Sequence, residues 1–295
     1  MNTQNKKMTI CQKYGIKEDV DFYDIDLKRD NKLFVDPYMI AIARSDLAHK
    51  CHNDVVVYFS QLLSFARSNN KEEGYKLVEY LKENNEFRLG YSKDKSRGNG
   101  FGEERGRQLF DEIQSSSATK AGVLEDIFDT SVMIKGVGAD LISDLTLNII
   151  CENLINYTQE QCKRYSIPME LVRLKRPVWS PKANEWVHNY QTMLPVDDGK
   201  PIIFVPKDFA RSTLVYNYTR FYSKGMMEYY ENMVMSNHVT SLMRALKQGY
   251  KPHRGKIRQA YPCLKDSVIE FIERQPEIYK EYKDKQLKFI CIDRV

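Results

Sequence analysis

Two carboxylates at a glycine bend, with a lysine in reach, are a common way to hold a divalent metal over a phosphodiester. Such a bend occurs at Gly136 and Gly138, and Asp140 and Asp144 follow it. Acidic side chains hold Mg²⁺, and a lysine beside the attacking water or the scissile phosphate completes the chemistry. Lys163 and Lys207 are the candidate lysines. Asp36, at the end of an acidic N-terminal segment that also carries Asp24 and Asp26, joins Asp140 and Asp144 as a candidate metal ligand.

The pattern Gly-x-Gly-x-Asp at 136–140, followed by Gln161-Cys162-Lys163-Arg164-Tyr165, resembles the restriction-endonuclease-like core of Mrr-type enzymes. On that resemblance Asp140 would hold metal, and Gln161 and Lys163 would complete the site from an adjacent strand. The residues between depart from this pattern. Leu145, Ile149, Leu154 and Ile155 recur near the helical period. A helix would place Lys163 about 28 Å from residue 144 at ~1.5 Å per residue. On this second reading Ser143 or Asp144 is the N-cap of a helix beginning near Leu145, a contribution of ~1 kcal/mol. Separately, Arg44 and His49 have the Arg-x4-His spacing used by the HEPN ribonucleases.

Three further stretches could meet anions. Residues 86–107 carry five glycines among basic residues. Glycine lets backbone N–H groups approach a phosphate closely, and a following helix start adds a favourable dipole. Lys95, Arg97, Gly98, Gly100, Gly102 and Arg105 are the phosphate-binding candidates, although the pattern is neither Walker A nor GxGxxG. Residues 168–185 read as a loop with Arg173, Lys175, Arg176 and Lys182 beside Trp179 and Trp186, a mixture suited to phosphate contact and base stacking. Residues 244–258 contain six cations and no acid: Arg244, Lys247, Lys251, Arg254, Lys256 and Arg258. They make the strongest polyanion-facing segment in the chain.

The elements that must position these residues point to an α+β fold, mostly helical, with a small mixed sheet. Two β-hairpins supply that sheet. One covers 21–36 and turns at Lys28-Arg29-Asp30-Asn31; the other covers 186–206 and turns at Asp198-Gly199. Helices are expected at 38–68, 71–83, 103–115, 145–163, 208–248 and 262–288, with a helix or strand near 121–133. Tyr and Met residues in 208–248 form a stripe suited to a core or an oligomer interface. The 295 residues, 42% hydrophobic and 12% aromatic, support one compact domain over 1–295, with a soft boundary near 168–185.

Charge and cysteine usage narrow the function classes. The net charge of +5 is concentrated at the C-terminal end, where residues 244–295 hold 13 basic against 7 acidic side chains. No apolar run reaches the ~20 residues of a membrane span. Six scattered cysteines without a CxxC pair fit reduced thiols in the cytoplasm. The expected function is nucleic-acid processing by an Mg²⁺-dependent nuclease, with a role in prokaryotic antiviral defence and with an ATPase partner or a homo-oligomer as its setting. The alternatives are a non-catalytic nucleic-acid-binding or regulatory subunit, and a nucleotide-binding enzyme built on the glycine-rich loop.

Overall fold

The computed structural model describes residues 8–29, 31–82, 84–89 and 99–291. The fold is α+β and mostly helical, as expected, with small antiparallel two-stranded ladders. A short helix α1 (Ile10–Tyr14) is closed by a capping box at Thr9 and Gln12. The chain then crosses 20–27 in extended form and reaches β1 (Phe34–Val35) and α2 (Pro37–Ile42).

The longest helix, α3 (Asp46–Arg67), starts at Ser45, whose Oγ accepts the Ala48 N–H at 3.2 Å. It buries Ala48, Cys51, Val55, Phe59, Leu62 and Ala66 at three- to four-residue intervals. This stripe is the spine of the core. Two helices pack on it, α4 (Lys71–Val78) and α5 (Asn99–Ser115). They approach so closely at Gly106 that an added Cβ would lie 2.1 Å from the Val78 carbonyl oxygen. Beyond α6 (Ser117–Lys120) and α7 (Thr130–Met133) come α8 (Ala139–Ile149) and α9 (Cys151–Arg164).

These last two are one kinked helix. Ile150 donates to Thr146 and accepts from Leu154, so the i to i+4 ladder runs through the break at 3.0 and 3.1 Å. The helix begins at Ala139 with Gly138 in the cap position, six residues ahead of the expected start at Leu145. Ser143 therefore caps nothing; its Oγ accepts the Val35 N–H at 2.9 Å and ties β1 to α8. Asp144 lies inside the helix for the same reason, and its carbonyl accepts from the Asn148 side chain.

The ladders follow. β2 (Glu170–Arg173) pairs with β5 (Gln191–Leu194), and β3 (Val178–Ser180) pairs with β4 (Glu185–Val187). β6 (Val196–Asp197) and β7 (Lys200–Pro201) flank the expected Asp198-Gly199 turn, with both turn residues at positive φ. The 21–36 hairpin does not form, and of the expected 186–206 hairpin only the two residues on either side of the turn pair with each other, its longer first arm pairing with β2 and β3. β1 instead pairs with β8 (Ala210–Arg211), and Phe22 bridges to Pro206. Phe22 stacks on Phe204 with ring centroids 4.4 Å apart, in a smaller apolar cluster beside the main core. That burial outweighs local pairing of two short strands, which is marginal in isolation.

The C-terminal part holds α10 (Tyr218–Phe221), one π-helical turn at Tyr222–Met226, and α11 (Met227–Ser236). Then come β9 (Met243–Ala245), β10 (Tyr250–Pro252), α12 (Arg254–Ala260), α13 (Lys265–Arg274) and α14 (Pro276–Cys291). The expected helix over 208–248 is thus confined to 218–236. The expected 262–288 helix is split at Gln275, next to Pro276, which removes a backbone donor. Tyr216, Tyr222, Met226 and Met227 of the Tyr and Met stripe are buried in the main core, and Tyr218, Tyr229, Tyr230 and Met233 pack partly buried against it. No helix among the described residues is long and apolar enough to cross a membrane.

Candidate nucleic-acid interface

The expected metal centre does not assemble. Among the described residues no three His, Cys, Asp or Glu side chains are grouped to hold a metal. Asp36 is 1% exposed, and backbone groups use both of its oxygens. Oδ1 accepts the Tyr38 N–H at 2.9 Å and caps α2, while Oδ2 accepts the Val215 N–H at 2.6 Å. Burial holds its pKa above the ordinary value despite these donors. Asp140 is half-exposed in the first turn of α8, 3.8 Å from Arg105. Lys163 lies in the last turn of α9, at the far end of the kinked helix, so the Asp140 and Gln161/Lys163 halves of the endonuclease-like pattern are not brought together. Helical geometry, with its fixed rise, is the reason.

The remaining candidates have separate duties. Lys207 pairs with Asp19 on the surface at 2.5 Å. Asp24 accepts the Cys11 N–H at 2.8 Å, and Asp26 accepts the Lys28 N–H at 3.0 Å. The 136–138 bend is held by Lys265, whose Nζ donates to the Val137 carbonyl at 2.6 Å; burial lowers the pKa of this lysine to about 8. Arg44 and His49 are both exposed around the start of α3. Lys95, Arg97 and Gly98 lie outside the described residues, while Gly100 and Gly102 belong to α5, where a loop was expected. Trp179 is buried against Tyr58, and Trp186 packs partly buried against the core, its Nε1–H donating to the Leu77 carbonyl at 3.0 Å.

The basic segment 244–258 folds into a compact projecting unit. β9 and β10 pair antiparallel, with Met243 opposite Pro252, Arg244 opposite Lys251 and Ala245 opposite Tyr250. The chain reverses over 246–249, and Gly249 there has φ +82°, a value that L side chains rarely adopt. Met243 is buried, so strand alternation turns Arg244 and Lys251 to the other face, toward solvent. Lys247 sits at the tip. Leu246 and Tyr250 flank it, 47% and 60% exposed.

His253 ends the hairpin and starts α12: its Nδ1 accepts the Lys256 N–H at 3.3 Å, which makes it a cap. Ile257 is fully buried and docks the helix. Arg254 makes a two-pronged pair with Glu231 of α11, at 2.7 and 2.8 Å, and this contact holds the Glu231 carboxyl below its ordinary pKa. The Lys256 Nζ donates to the Met243 carbonyl at 3.2 Å. Two of the six expected cations therefore brace the unit. Arg244, Lys247, Lys251 and Arg258 are exposed and make no ion pair among the described residues.

Arg244 and Lys251 carry the strongest electrostatic signal. Directly opposed residues on one face have Cβ atoms ~5 Å apart, and like charges there are destabilising. In water the repulsion of such a pair is on the order of 1 kcal/mol. The hairpin therefore keeps two cations side by side, and no acid lies within 244–258.

No curated protein and no solved structure matches the chain. Residues 13–217 match DUF8370, a domain of unknown function, and the match stops ahead of α10 and of the basic hairpin. It takes in more than half of the 295 residues, and the chain belongs to the DUF8370 family.

Proposed function

We propose that this protein binds nucleic acid without itself supplying a metal-dependent nuclease centre, and that β9, β10 and α12 lie against the phosphate backbone. The observation that carries this reading is the opposed pair Arg244 and Lys251 on an exposed face, with Lys247 at the tip and no ion-pair partner for any of the three among the described residues. A two-stranded ribbon is narrow enough for a groove, and Tyr250 offers a ring at its edge. The cysteines Cys11, Cys51, Cys151, Cys162 and Cys263 are free thiols, in keeping with work in the cytoplasm. A regulatory or targeting subunit beside a catalytic partner is the setting this favours.

The test is fluorescence anisotropy with single-stranded DNA, duplex DNA and RNA, at ~50 and ~200 mM salt, with Mg²⁺ and with EDTA. Affinity should fall steeply with salt. The double variant Arg244→Gln, Lys251→Gln should reduce the log–log salt slope by about two. Unchanged affinity and slope in that variant would overturn the assignment. Cutting that needs Mg²⁺ and stops in EDTA would restore the nuclease reading, with ligands other than the Asp36, Asp140 and Asp144 trio.

A further inference from the structure

A second basic feature lies inside the family-matched region, away from the hairpin. A recess of about 280 Å³ opens between residues 173–177, at and after the end of β2, and His188 and Asn189, which precede β5. Arg173, Lys175 and Arg176 line it on one side and His188 and Asn189 on the other; no carboxylate belongs to its wall. The two sides are tied together. The Arg173 guanidinium donates to the Asn189 side-chain oxygen, and Asn189 has φ 56°, which sharply reverses the chain there. The His188 ring stands edge-on to the Tyr80 ring, with centroids 5.3 Å apart and planes at 87°, so the imidazole has a fixed backing.

The charge balance favours an anion of more than one unit. Glu86 stands behind the recess, 3.9 Å from Arg176, and both side chains are largely out of solvent. Three cations line the wall itself, and no carboxylate shares it. Lys175 is exposed. Guanidinium forks match the oxygen geometry of phosphate, and charge-assisted bonds of this kind are the strong ones. A backbone phosphodiester carries one charge and is flanked by sugar on both sides. A terminal phosphate carries close to two and projects from its sugar, so it can enter a concavity lined from two segments.

We propose that this recess binds a phosphomonoester: the terminal phosphate of a nucleic-acid strand or of a free nucleotide. The inference does not depend on the hairpin, and its test separates the two. Isothermal titration compares an oligonucleotide phosphorylated at either end with the same oligonucleotide bearing hydroxyl ends, and AMP with adenosine. The phosphorylated member of at least one pair should bind about tenfold or more tightly than its partner. Lys175→Glu and Arg173→Gln should each remove that preference, whereas Arg244→Gln with Lys251→Gln should leave it intact. A preference in the oligonucleotide pair assigns the source to a strand end, and one in the AMP pair assigns it to a free nucleotide. Equal binding within both pairs would overturn the proposal, as would a preference that survives both Lys175→Glu and Arg173→Gln in folded protein. If no oligonucleotide binds, the AMP and adenosine arm still decides.

Discussion

Lys283 of α14 and Lys251 of β10 are the same side chain under opposite conditions. Lys283 is 5% exposed, and its Nζ meets Asp126, Asp129 and Glu125 at 2.6, 2.8 and 3.0 Å. Burial pulls its pKa down, but Asp129 and Asp126 outweigh burial and hold it above the ordinary lysine value. Asp129 is fully buried and also accepts from the Tyr279 hydroxyl at 2.6 Å and from the Asp126 N–H at 2.9 Å. Lys251 faces another cation across the hairpin and pairs with no acid among the described residues. A buried charge must be neutralised where it stands, because leaving water costs several kcal/mol per ion. An exposed one keeps its hydration and can be left for a ligand. The first arrangement fastens α14 to the family-matched region; the second leaves charge available at the surface.

The largest expected effect tests the buried side. Lys283→Met should cost ~3–5 kcal/mol in urea denaturation, since it leaves Asp129 without its cation. Its pH dependence has a definite sign. A folded pKa above the unfolded value means that the stabilisation is complete below about pH 10.5 and lost as pH rises through the folded pKa. A denaturation midpoint equal to wild type would break the contrast with Lys251.

Asp197 offers an intermediate case. It is 6% exposed, and burial alone would raise its pKa; the hydrogen bonds from Lys13 at 2.7 Å and Arg88 at 3.0 Å outweigh this and lower it. Its stabilisation is therefore complete above about pH 3.8 and lost as pH falls through the lower folded pKa. Asp197→Asn should cost ~1.5–3 kcal/mol at neutral pH and flatten the stability profile below pH 3.8. An unchanged acid limb in the variant would show that the pairing does not govern it.

The smallest effect belongs to the exposed side and has the opposite sign. Lys251→Gln removes the repulsion with Arg244 and should stabilise the protein by ~0.2–1 kcal/mol while weakening nucleic-acid binding. Loss of stability in thermal melts, or unchanged binding, would mean that Lys251 has a structural duty after all.

The helical parts were legible in the sequence because their signals are local. The helical period placed a helix within 38–68, which the structure divides into α2 and α3 ahead of Ser45, and the same period after Leu145 correctly opposed a strand carrying Lys163. Strand partners were not legible. Phe34 and Val35 had a candidate partner nearby in the first arm of the 21–36 hairpin but pair with Arg211 and Ala210, because closing Phe22 onto Phe204 buries more apolar surface than a local hairpin. The basic tail was visible as a run of cations. That Arg254 and Lys256 brace the unit while Arg244 and Lys251 stand opposed depends on strand register and on Glu231 from α11. The recess was visible only as Arg173, Lys175 and Arg176; His188 carried no signal.

By itself the sequence determined the helical character, the Asp198-Gly199 turn, the basic C-terminal segment and the want of a membrane-spanning run, all properties of composition or of a few neighbouring residues. Tertiary structure decided which charges are satisfied. It turned Asp36 into a cap, paired Lys207 with Asp19, enclosed Lys283 among carboxylates and set Asp140 and Lys163 at the two ends of one kinked helix. The physical reason is that a charge's role depends on what lies within ~4–6 Å and on how much water remains, and both are set by residues far away in the chain.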